Sequence, residues 1–445
     1  MNVSDAQLST VVPESSRTAE SRYASLDGLR GVAALIVVGY HALLVVPAVS
    51  AIYVDKVAPD AFTPEWWLYA TPLRLLFAGH EAVLVFFVLS GFVLTLPLLV
   101  RPPTARSTVA YYGRRVVRLY LPVWGALLFA LALALAVPRD PSVGGWLGSH
   151  LPPTPHDLRQ DAVLLFGTSN LDSPLWSLTW EVWFSLLMPL MFVLIRVTRA
   201  QRWWWGAIPV LIGLSTLARF DAVRASLPLS WLTADMLEYL PVFGIGMLLA
   251  FQKDRIRAAA SRVRVWWPIV VGALALTVSP TLIAPPGWGG RQAVGYVLSL
   301  VGVALIVALA FAGPLRRPLE ARPVQWAGRR SFSIYLVHEP IIVATALVVG
   351  VSGWRPWLGI AVLLVPVVLL IAHGFYDAVE RPSIALSRRV GRLIAAALPE
   401  RRGDAEPGEQ HVNAPGNDEG PEVFTSGPSP VFPLPDLDSN QEPAG

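Results

Sequence analysis

Gly79-His80-Glu81-Ala82-Val83-Leu84-Val85-Phe86-Phe87-Val88-Leu89-Ser90-Gly91-Phe92 opens on two polar side chains and then carries no charge. It lies within an apolar stretch over 75–99, and about 20 such residues in a helix cross the hydrocarbon core of a bilayer. Backbone N–H and C=O groups meet no water there, so a segment of this length spans as a helix that pairs its own backbone. Nine further stretches of the same character lie near 29–49, 119–137, 175–195, 203–219, 229–251, 265–285, 293–313, 331–350 and 356–377. Glu181 falls in the fourth of the ten in chain order, and Asp235 and Glu238 in the sixth. The expected fold is all-α, a polytopic membrane helical bundle of about ten transmembrane helices.

Composition agrees. The chain has 445 residues, 54% hydrophobic and 15% charged, against roughly 25% charged in soluble domains. It lacks the polar surface that a water-soluble body needs. With no Cys, disulfides, thiolate metal sites and a cysteine nucleophile are all excluded. No set of metal ligands has suitable spacing, so no metal is expected.

The basic residues set an orientation. With the N-terminus inside, 26 of the 35 fall in cytoplasmic segments and eight in outer loops, with Arg30 at the membrane boundary. The net charge of +4 therefore follows from topology, and no nucleic-acid partner is expected. The first 26 residues are polar and no small-residue cleavage site follows the first apolar run, which reads as a retained span. Three regions are expected: a polar cytoplasmic segment 1–22, a transmembrane domain 23–390, and an acidic, Pro/Gly-rich cytoplasmic tail 391–445, mostly disordered. The longest outer loop, about 138–174, is rich in Pro, Gly and Ser and suited to covering an outer cavity.

Titratable groups inside spans are costly and mark function by default. Leu26-Asp27-Gly28-Leu29-Arg30-Gly31 is followed by Tyr40-His41. Arg30 and His41 are eleven residues apart, so they share one helix face about 16 Å apart along the axis. That places Arg30 at the cytoplasmic boundary and His41 near mid-membrane. Either pair member has a plain reading, Arg30 as an anchor and His41 as a packed histidine, beside the functional one of proton transfer. His80 and Glu81 fall near the outer end of their span, where a solvated role is expected. Arg115 and Arg118, in Arg114-Arg115-Val116-Val117-Arg118-Leu119-Tyr120-Leu121-Pro122, share a face at the cytoplasmic boundary and suit lipid phosphate or an anionic cytosolic ligand. In Ser331-Phe332-Ser333-Ile334-Tyr335-Leu336-Val337-His338-Glu339-Pro340, Pro340 is expected to interrupt the helix and His338 to be structural.

Together these segments resemble the acyltransferase-3 family of bacterial membrane acyltransferases. Five signatures carry the likeness in the family's order between about 23 and 390: Arg30 with His41; Phe86-Phe87-Val88-Leu89-Ser90-Gly91-Phe92; Arg115 and Arg118 before Pro122; Trp176-Ser177-Leu178 with Glu181 and Phe184; and Ser331 to Pro340 closed by Glu380-Arg381-Pro382. Two positions depart: Ala82-Val83-Leu84 stands where members commonly carry Gly-Val-Asp, and Val182 where an acidic residue often follows the glutamate. The chain shows none of the extra periplasmic esterase-like domain of some relatives.

The resemblance implies transfer of an acyl group, most often acetyl, from cytosolic acyl-CoA to a hydroxyl of a carbohydrate, lipid-linked glycan or glycosylated metabolite. It implies a bacterial cytoplasmic membrane location and contact with membrane lipids. His41 and Arg30 are then the expected catalytic residues, Arg115 and Arg118 the donor-phosphate clamp, and Glu181, His338 and Tyr335 acceptor-side or structural polar groups. A glycan or lipid transporter is the other reading that ten spans with buried polar residues allow.

Overall fold

The structure is a computed structural model that describes residues 23–55, 57–283, 289–351 and 353–398, without the side chains of 280–283 and 289–291. The N-terminal segment 1–22, Lys56 and the tail from 399 onward lie outside the described residues. Every regular element among the described residues is helical.

Ten apolar helices coincide with the ten expected stretches. They are α1 (Ala24–Leu44), α2 (Gly79–Val100), α3 (Ala105–Ala136), α4 (Leu175–Val197), α5 (Trp204–Leu217), α6 (Ser230–Phe251), α7 (Trp267–Ile283), α8 (Gly289–Ala312), α9 (Ser331–Val349) and α10 (Trp354–Phe375). Helix α10 passes through a π-helical turn, Tyr376–Glu380, into α11 (Arg381–Ala397), so the chain stays helical past residue 390. Eight of the ten are long and apolar enough to cross a membrane, counting α10 with its continuation. Helix α5 has 14 residues and α7 has 17. Fourteen residues rise only about 21 Å, short of the ~30 Å core.

The polar residues inside α6 do not break it, because each carboxylate has a cation. Arg219 Nη1 donates to Glu238 Oε1 at 2.6 Å, and Arg224 bonds both Asp235 and Glu238. Helix α3, 32 residues long, starts well before the expected boundary. Thr104 caps it, accepting from the Ser107 N–H at 3.2 Å, so the Arg114–Arg118 stretch lies inside a helix rather than at its mouth.

Close packing uses the glycines of the motifs. A Cβ at Gly91 would lie 2.0 Å from the Phe243 carbonyl oxygen, and one at Gly246 2.0 Å from that of Val88. Helices α2 and α6 therefore cross backbone to backbone, as small residues permit in membrane bundles. Pro340 lies within a continuous α9, which corrects the expected interruption. Membrane helices tolerate proline where neighbouring groups satisfy the freed backbone.

Candidate active site

His41 lies in the last turn of α1, and His338 in the second turn of α9. His338 is fully buried and His41 nearly so. His41 thus stands at the last turn of α1 and level with the second turn of α9. Helix α1 begins at Ala24, so the Leu26–Gly31 motif occupies its first turns. Gly28 lets this end pack closely, since a Cβ there would lie 2.0 Å from the Leu319 carbonyl oxygen.

The two rings meet. His338 Nδ1 faces only carbonyls, Tyr335 O at 2.8 Å and Ile334 O at 3.2 Å, so it carries the proton. Its neutral Nε2 is then a bare acceptor, 3.1 Å from His41 Nδ1. His41 Nδ1 also faces Val37 O at 3.0 Å. Both of its neighbours accept, so His41 Nδ1 is protonated and its Nε2 holds the lone pair. This assignment follows from the partners. Nε2 of His41 makes no hydrogen bond among the described residues.

The loop between α3 and α4 supplies residues that no sequence motif marks. Trp146 stands 5.8 Å from His41, ring centre to ring centre, and 4.6 Å from His150. His150 is buried, with Nδ1 3.0 Å from Trp146 O and Nε2 3.1 Å from Glu339 Oε1. Ser173 also donates to Glu339 Oε1. Burial, and after it the nearby Glu339, pushes the fully buried Asp172 carboxyl well above the usual carboxylate range. The loop between α3 and α4 thus packs against the last turn of α1 and against Glu339 of α9. A cavity of about 240 Å³ opens there, lined by Leu44, Ser50, Gly145, Trp146 and Ala346 among others.

The arginines gather at the other end of α1. Arg115 bonds Glu181 and, through Nε at 2.9 Å, Ser185 Oγ. Arg118 lies within electrostatic reach of Arg30, Arg115, Glu181 and Glu380. Glu380, from the Glu380-Arg381-Pro382 signature, accepts from the Ser333 N–H at 3.1 Å. Three cations thus face two carboxylates, and neither Arg30 nor Arg118 makes a hydrogen bond among the described residues. Arg115, by contrast, is committed to Glu181. Glu181 therefore lies level with the arginines.

Tyr335 donates to Pro174 O at 2.9 Å and shares a 2.6 Å hydrogen bond with Ser177, tying α9 to the start of α4. Glu81 is buried and accepts from Arg74 Nη2 at 2.8 Å, which corrects its expected solvated role. Arg74 also donates to the Tyr53 hydroxyl at 2.7 Å. Among the described residues no group of three or more His, Asp or Glu is placed to hold a metal ion.

Comparison with known proteins adds three findings. The family model described as an acyltransferase domain matches residues 23–373. Acyltransferase MdmB of Streptomyces mycarofaciens is 29% identical over 421 residues, which cover 87% of this chain and 97% of that protein. Peptidoglycan O-acetyltransferase OatA of Listeria monocytogenes is 31% identical over 86 residues, 19% of this chain and 14% of that one. No solved structure matches.

Proposed function

This chain belongs to the acyltransferase-3 family, is a multi-pass membrane enzyme that transfers acyl groups, and from that premise we propose its reaction. The acyl group, acetyl in the first instance, comes from cytosolic acyl-CoA and passes to a hydroxyl of a carbohydrate, lipid-linked glycan or glycosylated metabolite. The observation that carries this reading is the bare Nε2 of His41, held by the hydrogen bond from its Nδ1 to His338.

Arg30 and Arg118 hold the donor's phosphates, with Arg115 fixed beside them by Glu181. One cation is in excess there, and guanidinium forks match phosphate oxygens. The donor's flexible arm then runs along α1, about 16 Å from Arg30 to His41. His41 Nε2 takes the proton of the acceptor hydroxyl as its oxygen attacks the thioester carbonyl. The C–O bond forms, the tetrahedral intermediate collapses, and the C–S bond breaks. The departing thiolate takes the proton back from His41, leaving an ester and free CoA. General-base catalysis of this kind contributes about 10²–10⁴-fold.

The enzyme sits in the bacterial cytoplasmic membrane with both termini inside, as the basic residues indicate. A reporter fused at Gly144 should then read outside; a cytoplasmic reading there contradicts this orientation. A transporter leaves the His41–His338 pair and the family membership without account. The acyl transfer itself is tested by mass spectrometry of envelope glycans and secreted metabolites from a deletion strain beside its parent. Loss of one acyl mass from one species is expected, and identical profiles contradict the reading.

A further inference from the structure

Arg139 follows the end of α3 by three residues, in the outer loop, and is 8% exposed. None of its three side-chain nitrogens meets a hydrogen-bond partner among the described residues. Four other buried or half-buried arginines differ: Arg74 has Glu81, Arg115 has Glu181, and Arg219 and Arg224 have Glu238. The carboxylate beside it, Asp140, is turned away and accepts from the Ser142 N–H at 2.9 Å. Burial pulls the Arg139 guanidinium below its ordinary value, and the partial compensation comes from Glu339, near enough to act electrostatically but not bonded to it. A buried cation with five unused donors is expensive, and folds keep such a group where something binds to it.

Position says what binds. The free donor-side cations, Arg30 and Arg118, lie at the far end of α1 from the last turn that carries His41. The acyl arm therefore reaches His41 from that end, and the acceptor must come from the other. That side is covered by the outer loop, with Arg139 linked electrostatically to Glu339, which follows His338 in sequence. The groups around it suit a neutral partner. Burial disfavours charge on Asp172, and Glu339 already serves His150 and Ser173.

We propose that the Arg139 guanidinium is the acceptor-binding donor of this enzyme, bonding oxygens next to the hydroxyl that receives the acyl group. The inference rests on the transfer direction proposed above. A planar fork fits a pair of adjacent oxygens on a sugar ring better than an ammonium does.

The test uses the full-length chain in lipid nanodiscs, with acetyl-CoA as donor and methyl α-glucopyranoside as probe acceptor. Release of CoA is followed, and melting temperature is measured without either substrate. Native chain should be stimulated by the probe with saturation. Arg139→Met should raise the half-saturating probe concentration tenfold or more, as loss of a charged hydrogen bond predicts, while the donor KM stays within about twofold. Arg139→Lys should fall between the two. Arg139→Met should also melt at or above the native temperature, because it removes a buried charge that has no partner. A melting temperature lowered by several degrees, or a donor KM that moves with the probe's, makes Arg139 structural and overturns the proposal. So does CoA release that the probe fails to stimulate. If the native chain releases no CoA at all, the transfer reading fails, and the melting comparison still decides the role of Arg139.

Discussion

Nε2 of His338 lies 3.1 Å from Nδ1 of His41, joining α9 to α1 across 297 residues of sequence. The contact orders the protons. His338 gives its own Nδ1 proton to backbone carbonyls, so it can only accept from His41, and His41 is left with its lone pair on Nε2. An imidazole serves the same end here that a carboxylate serves in many catalytic triads. It does so without bringing a charge into the bundle.

His338 is therefore a positioning residue, and its variants should separate orientation from packing. His338→Ala leaves His41 Nδ1 with the Val37 carbonyl alone. The expected result is a kcat about tenfold lower, about 1.4 kcal/mol of barrier, with both KM values nearly unchanged. His338→Gln supplies an amide oxygen that accepts from His41 Nδ1 and should recover most of the loss. Equal losses in the two variants, with melting temperatures lowered alike, mark a packing role instead.

The arginines at the other end should divide by partner. Arg118→Ala should raise the donor KM with little change in melting temperature, because Arg118 bonds nothing in the described structure. Arg115→Ala strands Glu181, whose side chain is 18% exposed, and should destabilise the fold by about 1–3 kcal/mol. The double variant Arg115→Ala with Glu181→Gln should recover part of that stability, since the stranded charge is gone. Thermal melts and donor titrations of all three check the division. An unchanged donor KM in Arg118→Ala removes it from the donor site.

Asp172 gives a pH test with a definite sign. Its carboxyl is raised well above the ordinary value, chiefly by burial and then by Glu339, so the folded chain holds a proton that the unfolded chain releases. Stability from this group is greatest below the unfolded value near pH 4 and falls as pH rises toward the folded one. Asp172→Asn should flatten the decline of melting temperature between pH 5 and pH 8 and raise the melting temperature at the upper end. A slope unchanged by the substitution shows that Asp172 does not hold the proton.

Much of this was readable beforehand, and the reason is physical. Apolar length marks a span, and a charge inside a span costs too much to be accidental, so Arg30, His41, Glu181 and the ten helices all stood out. The same rule applied to Glu339, which sits in an apolar run and bonds His150 and Ser173. His150, Asp172 and Arg139 could not be found this way. They lie in an irregular loop, where a polar residue is unremarkable and no periodicity says which face is buried. Helix α1 also begins earlier than its apolar residues indicate, with the glycine-rich Leu26–Gly31 motif packed inside it. His41 falls in its last turn, in ring contact with Trp146 of the loop.

The central claim is that His41 Nε2 is the base. The most direct measurement is the single-turnover rate of acyl transfer by His41→Gln beside the native chain, with melting temperatures taken on the same preparations. Glutamine keeps the size and a hydrogen bond to His338 but offers no titratable nitrogen. The account predicts a rate lower by 10²-fold or more, about 2.7 kcal/mol of barrier, with a melting temperature close to native. Near-native turnover by His41→Gln contradicts it and leaves His41 a packed histidine.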